Sequence, residues 1–263
     1  MAVIEMTPQI RKVGVAMTTM HARSLLAEAS RFAERLGVPL ALIHAATGEA
    51  ESQAHLREAA NQLAIPVEKH IVWSKSESAQ ALLSAAEQAD IELLVAGAFE
   101  GPALNRRRFL SSAARKMVDS ARCSLLLLVQ PRIDTHNFRR LVVLTDFSEV
   151  SKIACGQALW LAEKDAVECV HVISIHTSFM DARARTGARD GKPARTRAQE
   201  ERLMEDFLAS LPKCQVQVDG NIVDATTGFA ACEFAESVEA DLLVLPGYNR
   251  LWPVSCPGSP RCC

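Results

Sequence analysis

The sequence has no apolar run near the roughly 18 residues that could cross a bilayer, and its first eleven residues lack an apolar core behind a basic start. It also lacks a strong charge of either sign, because 29 Lys and Arg face 31 Asp and Glu, for a formal net charge of -2. That balance does not attract nucleic acid or an anionic membrane to the chain as a whole. We therefore expect a cytoplasmic globular protein with no membrane span and no nucleic-acid partner.

Common catalytic signatures are also missing. The chain has no GxxxxGK[ST], no GxGxxG after a strand, no HExxH and no GxSxG. No residue set is recognisable that would position a water and Mg²⁺ for ATP hydrolysis. His44 and His171 follow apolar runs, which favours core histidines over catalytic bases. We expect a binding protein rather than an enzyme, with any role for Mg²⁺ left open.

Cysteine spacing points away from disulfides and metal. The chain has eight cysteines, and three of them, Cys256, Cys262 and Cys263, crowd the end without a CxxC or a nearby His, which does not favour a zinc site. The other five lie in apolar patterns without paired spacing and are predicted to be buried free thiols: Cys123, Cys155, Cys169, Cys214 and Cys232.

A chain of 263 residues that is 49% hydrophobic can form about two domains, each with its own core. Periodicity predicts strands and helices in alternation. In the first half the predicted strands are 13–17, 39–46, 67–73, 91–97 and 124–129, and the predicted helices are 21–36, 49–63, 78–88 and 111–120. In the second half the strands are 141–145, 166–174, 214–218 and 241–245, and the helices are 151–163, 197–211 and 228–237.

The two halves repeat the same order of elements, and their apolar positions correspond. Residues 92–97 match 241–247 with one residue inserted, and Phe32 corresponds to Leu161. Alternating strands and helices pair in parallel through right-handed crossovers. The predicted fold is therefore α/β, with two tandem doubly wound parallel-sheet domains, 1–130 and 138–263, joined by a polar linker.

Two segments break the symmetry. Residues 179–195 are rich in Arg, Gly and Asp and are predicted to be a solvated insertion. The tail, 251–263, contains three prolines where the first copy continues into a helix and a strand. The second domain is therefore predicted to be truncated, and a native tail and a frame-shifted one both remain open.

An ordered set of motifs resembles the universal stress protein family in its tandem form. The set in the second copy is LVVLTDFSE at 141–149, VHV at 170–172 and DLLVL at 241–245, and the first copy has ELLVAG at 92–97. Each motif alone is weak, and their order carries the resemblance.

The resemblance implies a five-stranded domain whose nucleotide-binding members hold ATP at the carboxyl ends of the strands, where helix N-termini meet phosphates. It also implies an Asp near the nucleoside, a backbone segment that reads adenine, and a Gly-x-x-Gly-x9-Gly-Ser/Thr loop around the phosphates. Carried over position by position, the candidate nucleotide-binding residues are Gly97, Gly101, Ser111, Ser112, Asp146, Ser148, Val172 and Gly247.

Neither copy has every part of that pattern. The first has Met17 in place of the acid and Ser111 in place of the third glycine, and its loop basic residues at 106–108 are either a phosphate contact or a solvated run. A Ser can still donate through its N–H and hydroxyl at a helix start. The second copy keeps Asp146, which either caps the next helix or contacts a ligand, but lacks the loop beyond Gly247.

Two hypotheses follow. The chain is a stress-response binding protein with an adenine nucleotide, ATP or a related small ligand, as its input. Alternatively, it is a structural or interaction module with decayed nucleotide sites. The resemblance further implies that the fifth strand, 124–129, pairs domains, so we expect an internal pseudo-dimer of the two copies and consider a homodimer.

Overall fold

The computed structural model describes residues 10–17, 22–45, 54, 58, 61, 71–74, 78–98, 111–129, 131–133, 136–177, 195–225 and 229–247. They divide into two compact units, with the boundary between His136 and Asn137. Across these residues, no helix is both long and apolar enough to cross a membrane. The predicted helix 49–63 lies mostly outside them, and the tail and residues 178–194 lie entirely outside.

The first unit is a doubly wound parallel sheet. Its strands lie in the order β3-β2-β1-β4-β5, so β1 pairs with β2 on one side and β4 on the other. The bounds are β1 (Val13–Met17), α1 (Ala22–Leu36), β2 (Leu40–Ala45), β3 (Ile71–Ser74), α2 (Ala79–Gln88), β4 (Leu93–Gly97), α3 (Ser112–Ser120) and β5 (Ser124–Leu128).

Helix α1 shows why the sequence folds locally as it does. Its apolar residues recur at helical spacing, so one face is buried on the sheet, and Gly37 takes the left-handed conformation (φ +68) that ends the helix. The buried side chains of that face are Leu25, Leu26, Ala29, Phe32, Ala33 and Leu36.

The second unit repeats the arrangement with strand order β8-β7-β6-β9, all parallel. The predicted α/β class with two tandem doubly wound sheets is thereby confirmed. The bounds are β6 (Arg140–Leu144), α4 (Glu149–Asp165), β7 (Cys169–His176), α5 (Arg197–Ala209), β8 (Gln217–Asp224), α6 (Ala230–Ser237) and β9 (Leu242–Val244).

Several predicted boundaries in this unit were wrong, and the structure gives a reason for three elements. Helix α4 begins at Glu149 rather than 151, because Ser148 is its N-cap and accepts a hydrogen bond from the N–H of Ser151. Strand β7 starts at Cys169 rather than 166, because Ala166 is the left-handed C-cap of α4 (φ +54). Strand β8 was placed at 214–218 but spans 217–224, where its residues pair one by one with all of β7.

Candidate functional site

Strand order locates the ligand-binding edge of each sheet. In a doubly wound sheet, ligands bind outside the carboxyl ends of the strands, at the point where the strand order reverses. That point lies between β1 and β4 in the first unit and between β6 and β9 in the second.

A hydrogen-bonded turn follows β6 at this point. Asp146 Oδ1 accepts a hydrogen bond from the N–H of Ser148 at 3.0 Å, and Thr145 Oγ1 accepts one from the N–H of Phe147 at 2.9 Å. Ser148 Oγ accepts from the N–H of Ser151 at 3.2 Å and so caps α4. Asp146 and Ser148 are both half-buried. The turn therefore orients the Asp146 carboxylate while it starts the helix.

Phe147 sits in this turn with a φ of +68, a left-handed conformation that is rare for a bulky residue and costs about 1–2 kcal/mol. Its ring packs edge-on against Phe207 of α5, with centroids 5.8 Å apart. The guanidinium of Arg195 lies 5.5 Å from the Phe147 ring centroid. The strained turn is thus held by α5 and brings a cation to the same edge. Strain of this kind is often found at functional sites.

A buried acid–base pair lies at the carboxyl end of β7. His176 Nδ1 is 3.0 Å from Glu200 Oε2, and the two side chains are only 3% and 2% exposed. Glu200 is in the first turn of α5, so the pair ties that helix to the sheet. The sequence prediction missed it because it ended β7 at 174, whereas the strand and its mostly buried residues continue to His176.

The start of α5 carries a second basic group. Arg197 Nε donates to Glu201 Oε1 at 3.0 Å, and Arg197 also forms an ion pair with Asp224 at the end of β8. Thr196 and Gln199 form a reciprocal capping box at the same helix end. The predicted solvated insertion ends at Arg195, which is half-buried and lies over Phe147, whereas Arg197 is exposed and its ion pairs with Glu201 and Asp224 are surface pairs.

The other second-copy candidates lie in different settings. Val172 is fully buried in the middle of β7 and pairs with Val143 on one side and Gly220 on the other. It therefore does not lie at the strand end, where the resemblance places the adenine-reading backbone. Gly247 is exposed and follows β9 by three residues, next to the β6 turn in strand order.

In the first unit the candidate loop is closed at its base. Gly97 ends β4, the N–H of Ser111 donates to the carbonyl of Ala98 at 2.9 Å, and Ser111 Oγ accepts from Ala114 as the N-cap of α3. In this arrangement the Ser111 N–H is already engaged by the Ala98 carbonyl. Ser112 is the first helical residue, where N–H groups have no intrahelical partner. Gly101 and residues 106–108 lie outside the described residues.

The described thiols differ in burial. Desolvation raises the pKa of Cys155 to about 12 and, with Asp219 nearby, that of Cys169 to about 11. Cys232 is exposed, so its prediction as a buried thiol was wrong. His171, expected in the core, is half-buried, with its Nδ1 3.8 Å from Asp219 Oδ2.

An open depression of about 520 Å³ lies at the opposite, amino-terminal edge of β7 and β8. Its lining residues are Glu163, Ala166, Val167, Glu168, Gln215, Val216 and Gln217. It contains none of the candidate nucleotide-binding residues, and in doubly wound sheets ligands bind at the other edge.

Comparison with known proteins connects the geometry to one family. Residues 137–247 match the model of the universal stress protein family. A functionally unknown protein from Pseudomonas aeruginosa PAO1 has a similar structure, with a TM-score of 0.63 and 17% identity over 90% of this chain and 81% of that one. A universal stress protein from Archaeoglobus fulgidus DSM 4304 gives 0.57 and 15%, over 89% and 86%. No curated protein matches the chain in sequence.

Proposed function

From the match of residues 137–247 to the universal stress protein family, and from the family's fold in both halves of the chain, we propose a nucleotide-responsive binding protein. Its input is an adenine nucleotide, such as ATP, bound at the carboxyl edge of the second sheet. The chain acts by binding rather than by turnover.

The observation that carries the proposal is the position of Asp146. Its carboxylate follows β6 at the reversal of strand order and is oriented by the Ser148 N–H at 3.0 Å. A carboxylate accepts hydrogen bonds from ribose hydroxyls, and bonds to a charged acceptor contribute about 1.5–3 kcal/mol each. One residue therefore serves both the helix start and the ligand.

The phosphates would meet positive charge at the same edge. The Arg195 guanidinium lies over the ring of Phe147, and Phe147 is the residue that follows Asp146 in the chain. The 17-residue helix α4 begins in that turn, and its N-terminus adds the positive end of a helix dipole. These groups suit a polyanion, and any Mg²⁺ would be shared with the phosphates of the nucleotide.

A second candidate function, an interaction module with decayed sites, is favoured by the first unit. There the Ser111 N–H closes the loop onto Ala98 instead of facing a ligand. We keep the predicted domains, 1–130 and 138–263, and their pairing as an internal pseudo-dimer or in a homodimer as proposals. Sedimentation equilibrium of the chain would measure the homodimer directly.

The test has two parts. Denaturant extraction of the purified chain should release adenine nucleotide, or calorimetry should show saturable ATP binding to the emptied chain. Asp146→Asn keeps an oxygen for the Ser148 N–H but removes the charge, so it should weaken ATP binding about tenfold while helix content and Tm stay unchanged. Asp206→Asn, at an exposed position on α5, is the matched control.

Each outcome is decisive. If no nucleotide is extracted and none binds, the nucleotide proposal is wrong and the interaction module replaces it. If ATP binds but Asp146→Asn and Asp206→Asn behave alike, the ligand does not use the β6 turn.

A further inference from the structure

Pairing of β7 with β8 brings three different metal-binding side chains onto one face of the second sheet. Cys169 and His171 are two apart on β7, so their side chains share a face, and His171 is in register with Asp219 on β8. The thiol sulfur, imidazole Nδ1 and a carboxylate oxygen all lie within 4.8 Å of one another.

The spacing of these atoms fits coordination of one ion. The Cys169 sulfur is 3.3 Å from Asp219 Oδ2 and 4.0 Å from His171 Nδ1, and Nδ1 is 3.8 Å from the same Oδ2. Ligand atoms around a tetrahedral zinc are about 3.3–3.6 Å apart, given Zn–S near 2.3 Å and Zn–N and Zn–O near 2.0–2.1 Å. Shifts of a few tenths of an ångström would close the triangle around an ion.

The same geometry argues against a nucleophile relay. In a Cys–His–Asp relay the thiol and the carboxylate approach opposite nitrogens of the ring. Here both face Nδ1, and the 3.8 and 4.0 Å separations exceed ordinary hydrogen bonds to nitrogen. A sulfur, a nitrogen and an oxygen atom that converge on one point suit the coordination of a cation.

Neighbouring residues orient two of the ligands. The His171 ring packs edge-on against Phe234 of α6, with centroids 5.8 Å apart. Gln217 Nε2 lies 3.2 and 3.1 Å from the two carboxylate oxygens of Asp219. Outer contacts of this kind typically fix ligand orientation and tune affinity at metal sites.

Access and charge are compatible with an ion. The side chains of His171 and Asp219 are 15% and 43% exposed, and β8 is an edge strand, so an ion and a water in the fourth position can reach the cluster. Arg140 is a cation in register with Cys169 on β6. Its guanidinium is turned to the Glu239 carboxylate at 3.2 Å and the Val238 carbonyl at 3.1 Å.

We propose that Cys169, His171 and Asp219 form a zinc site at the amino-terminal part of β7. Thiolate, imidazole and carboxylate together are a ligand set typical of Zn²⁺, with three protein ligands and an open fourth position. Binding transfers the Cys169 thiol proton to solvent and forms the zinc–sulfur bond. The site lies at the other end of β7 from His176, so it can be tested independently of nucleotide binding.

The experiment uses the 263-residue chain with Cys256, Cys262 and Cys263 changed to serine, which removes the clustered thiols of the tail. Cobalt(II) is titrated as a spectroscopic substitute for zinc. We expect one Co²⁺ per chain, with thiolate-to-cobalt absorption, and displacement of the cobalt by Zn²⁺. Saturating Zn²⁺ should also raise Tm, since a ligand that binds the folded state stabilises it.

Variants separate the proposed site from other thiols. Cys169→Ser should abolish the thiolate band, and Asp219→Asn, isosteric and on the edge strand, should weaken Co²⁺ binding at least about tenfold without a loss of Tm in metal-free buffer. Cys214→Ser and Cys232→Ser are the matched thiol controls in the same unit and should bind as the parent does. Absence of the band in the parent, its persistence in Cys169→Ser, or unchanged affinity in Asp219→Asn would overturn the proposal.

Discussion

Nδ1 of His176 and Oε2 of Glu200 lie 3.0 Å apart, with both side chains almost fully buried at the carboxyl edge of the second sheet. This contact joins the last residue of β7 to the first turn of α5, the helix that also supports Phe147 through Phe207. The His176–Glu200 contact therefore fixes the helix whose Phe207 packs against the turn after β6.

We expect Glu200→Ala to lower the free energy of unfolding by about 1–3 kcal/mol, because it leaves the buried imidazole without its carboxylate. Glu201→Ala, one residue on, removes an exposed i,i+4 pair with Arg197 and should cost less than about 1 kcal/mol. Urea denaturation measures both changes. Equal costs would mean that the buried contact contributes no more than the surface pair.

Two glycines in the second unit should respond oppositely to alanine. A Cβ at Gly220 would lie 2.6 Å from Leu208 Cδ1 and 2.8 Å from Met204 Cγ, so Gly220→Ala should push α5 from the sheet and cost about 1–3 kcal/mol. Gly156 is inside α4, where among the described residues nothing beyond its own helix backbone and its chain neighbours lies within 4 Å of an added Cβ, and Gly156→Ala should stabilise by about 1 kcal/mol. Thermal unfolding would show the two signs, and a Tm increase for Gly220→Ala would contradict the close packing.

Acid sensitivity of the first unit should depend on Glu92. Hydrogen bonds from the Arg11 side chain and backbone lower the pKa of Glu92 in the folded state. Since the folded pKa lies below the unfolded value near 4.5, the associated stability is present above pH 4.5 and is lost as the pH falls through the folded pKa. Glu92→Gln should therefore have a lower Tm than the parent at pH 7.

At pH 3 the Tm gap between the parent and Glu92→Gln should shrink. Differential scanning calorimetry at the two pH values gives the comparison. Glu34→Gln, at an exposed position on α1, is the control. A gap for Glu92→Gln that stays constant with pH would show that the Arg11 contact does not act through charge.

Thiol reactivity should follow exposure. Burial raises the pKa of Cys155 to about 12, so at pH 8 its reactive thiolate is scarce and alkylation in the native state should be slow. Cys232 is exposed on α6 and should react faster than Cys155. Timed alkylation followed by peptide mass mapping resolves each cysteine. Faster labelling of Cys155 than of Cys232 would mean that the second unit opens readily.

Local patterns predicted the elements with strong apolar periodicity. Helix α1 was predicted to within one residue, because its buried face and Gly37 define it without help from the rest of the chain. Strand β8 was misplaced because it is an edge strand containing Asp219, Gly220 and Asn221, residues that form a strand here through their register with β7.

The candidate site also contains parts that local sequence patterns predict and parts that they do not. Asp146 and Ser148 belong to one short motif and could be predicted from it. The contact of His176 with Glu200 and the grouping of Cys169 with Asp219 join residues 24 and 50 positions apart. Such contacts depend on strand register and helix placement, and the local patterns of a single sequence reveal neither.

The hydrogen bond from Ser111 to Ala98 has a further consequence for engineering the first unit. A segment whose first and last residues are already hydrogen-bonded neighbours adds little closure entropy when it is lengthened, since each doubling of a flexible loop costs about 0.6 kcal/mol. An insertion between Ala98 and Ser111 should therefore cost little closure entropy, because this hydrogen bond holds the end of β4 beside the N-cap of α3.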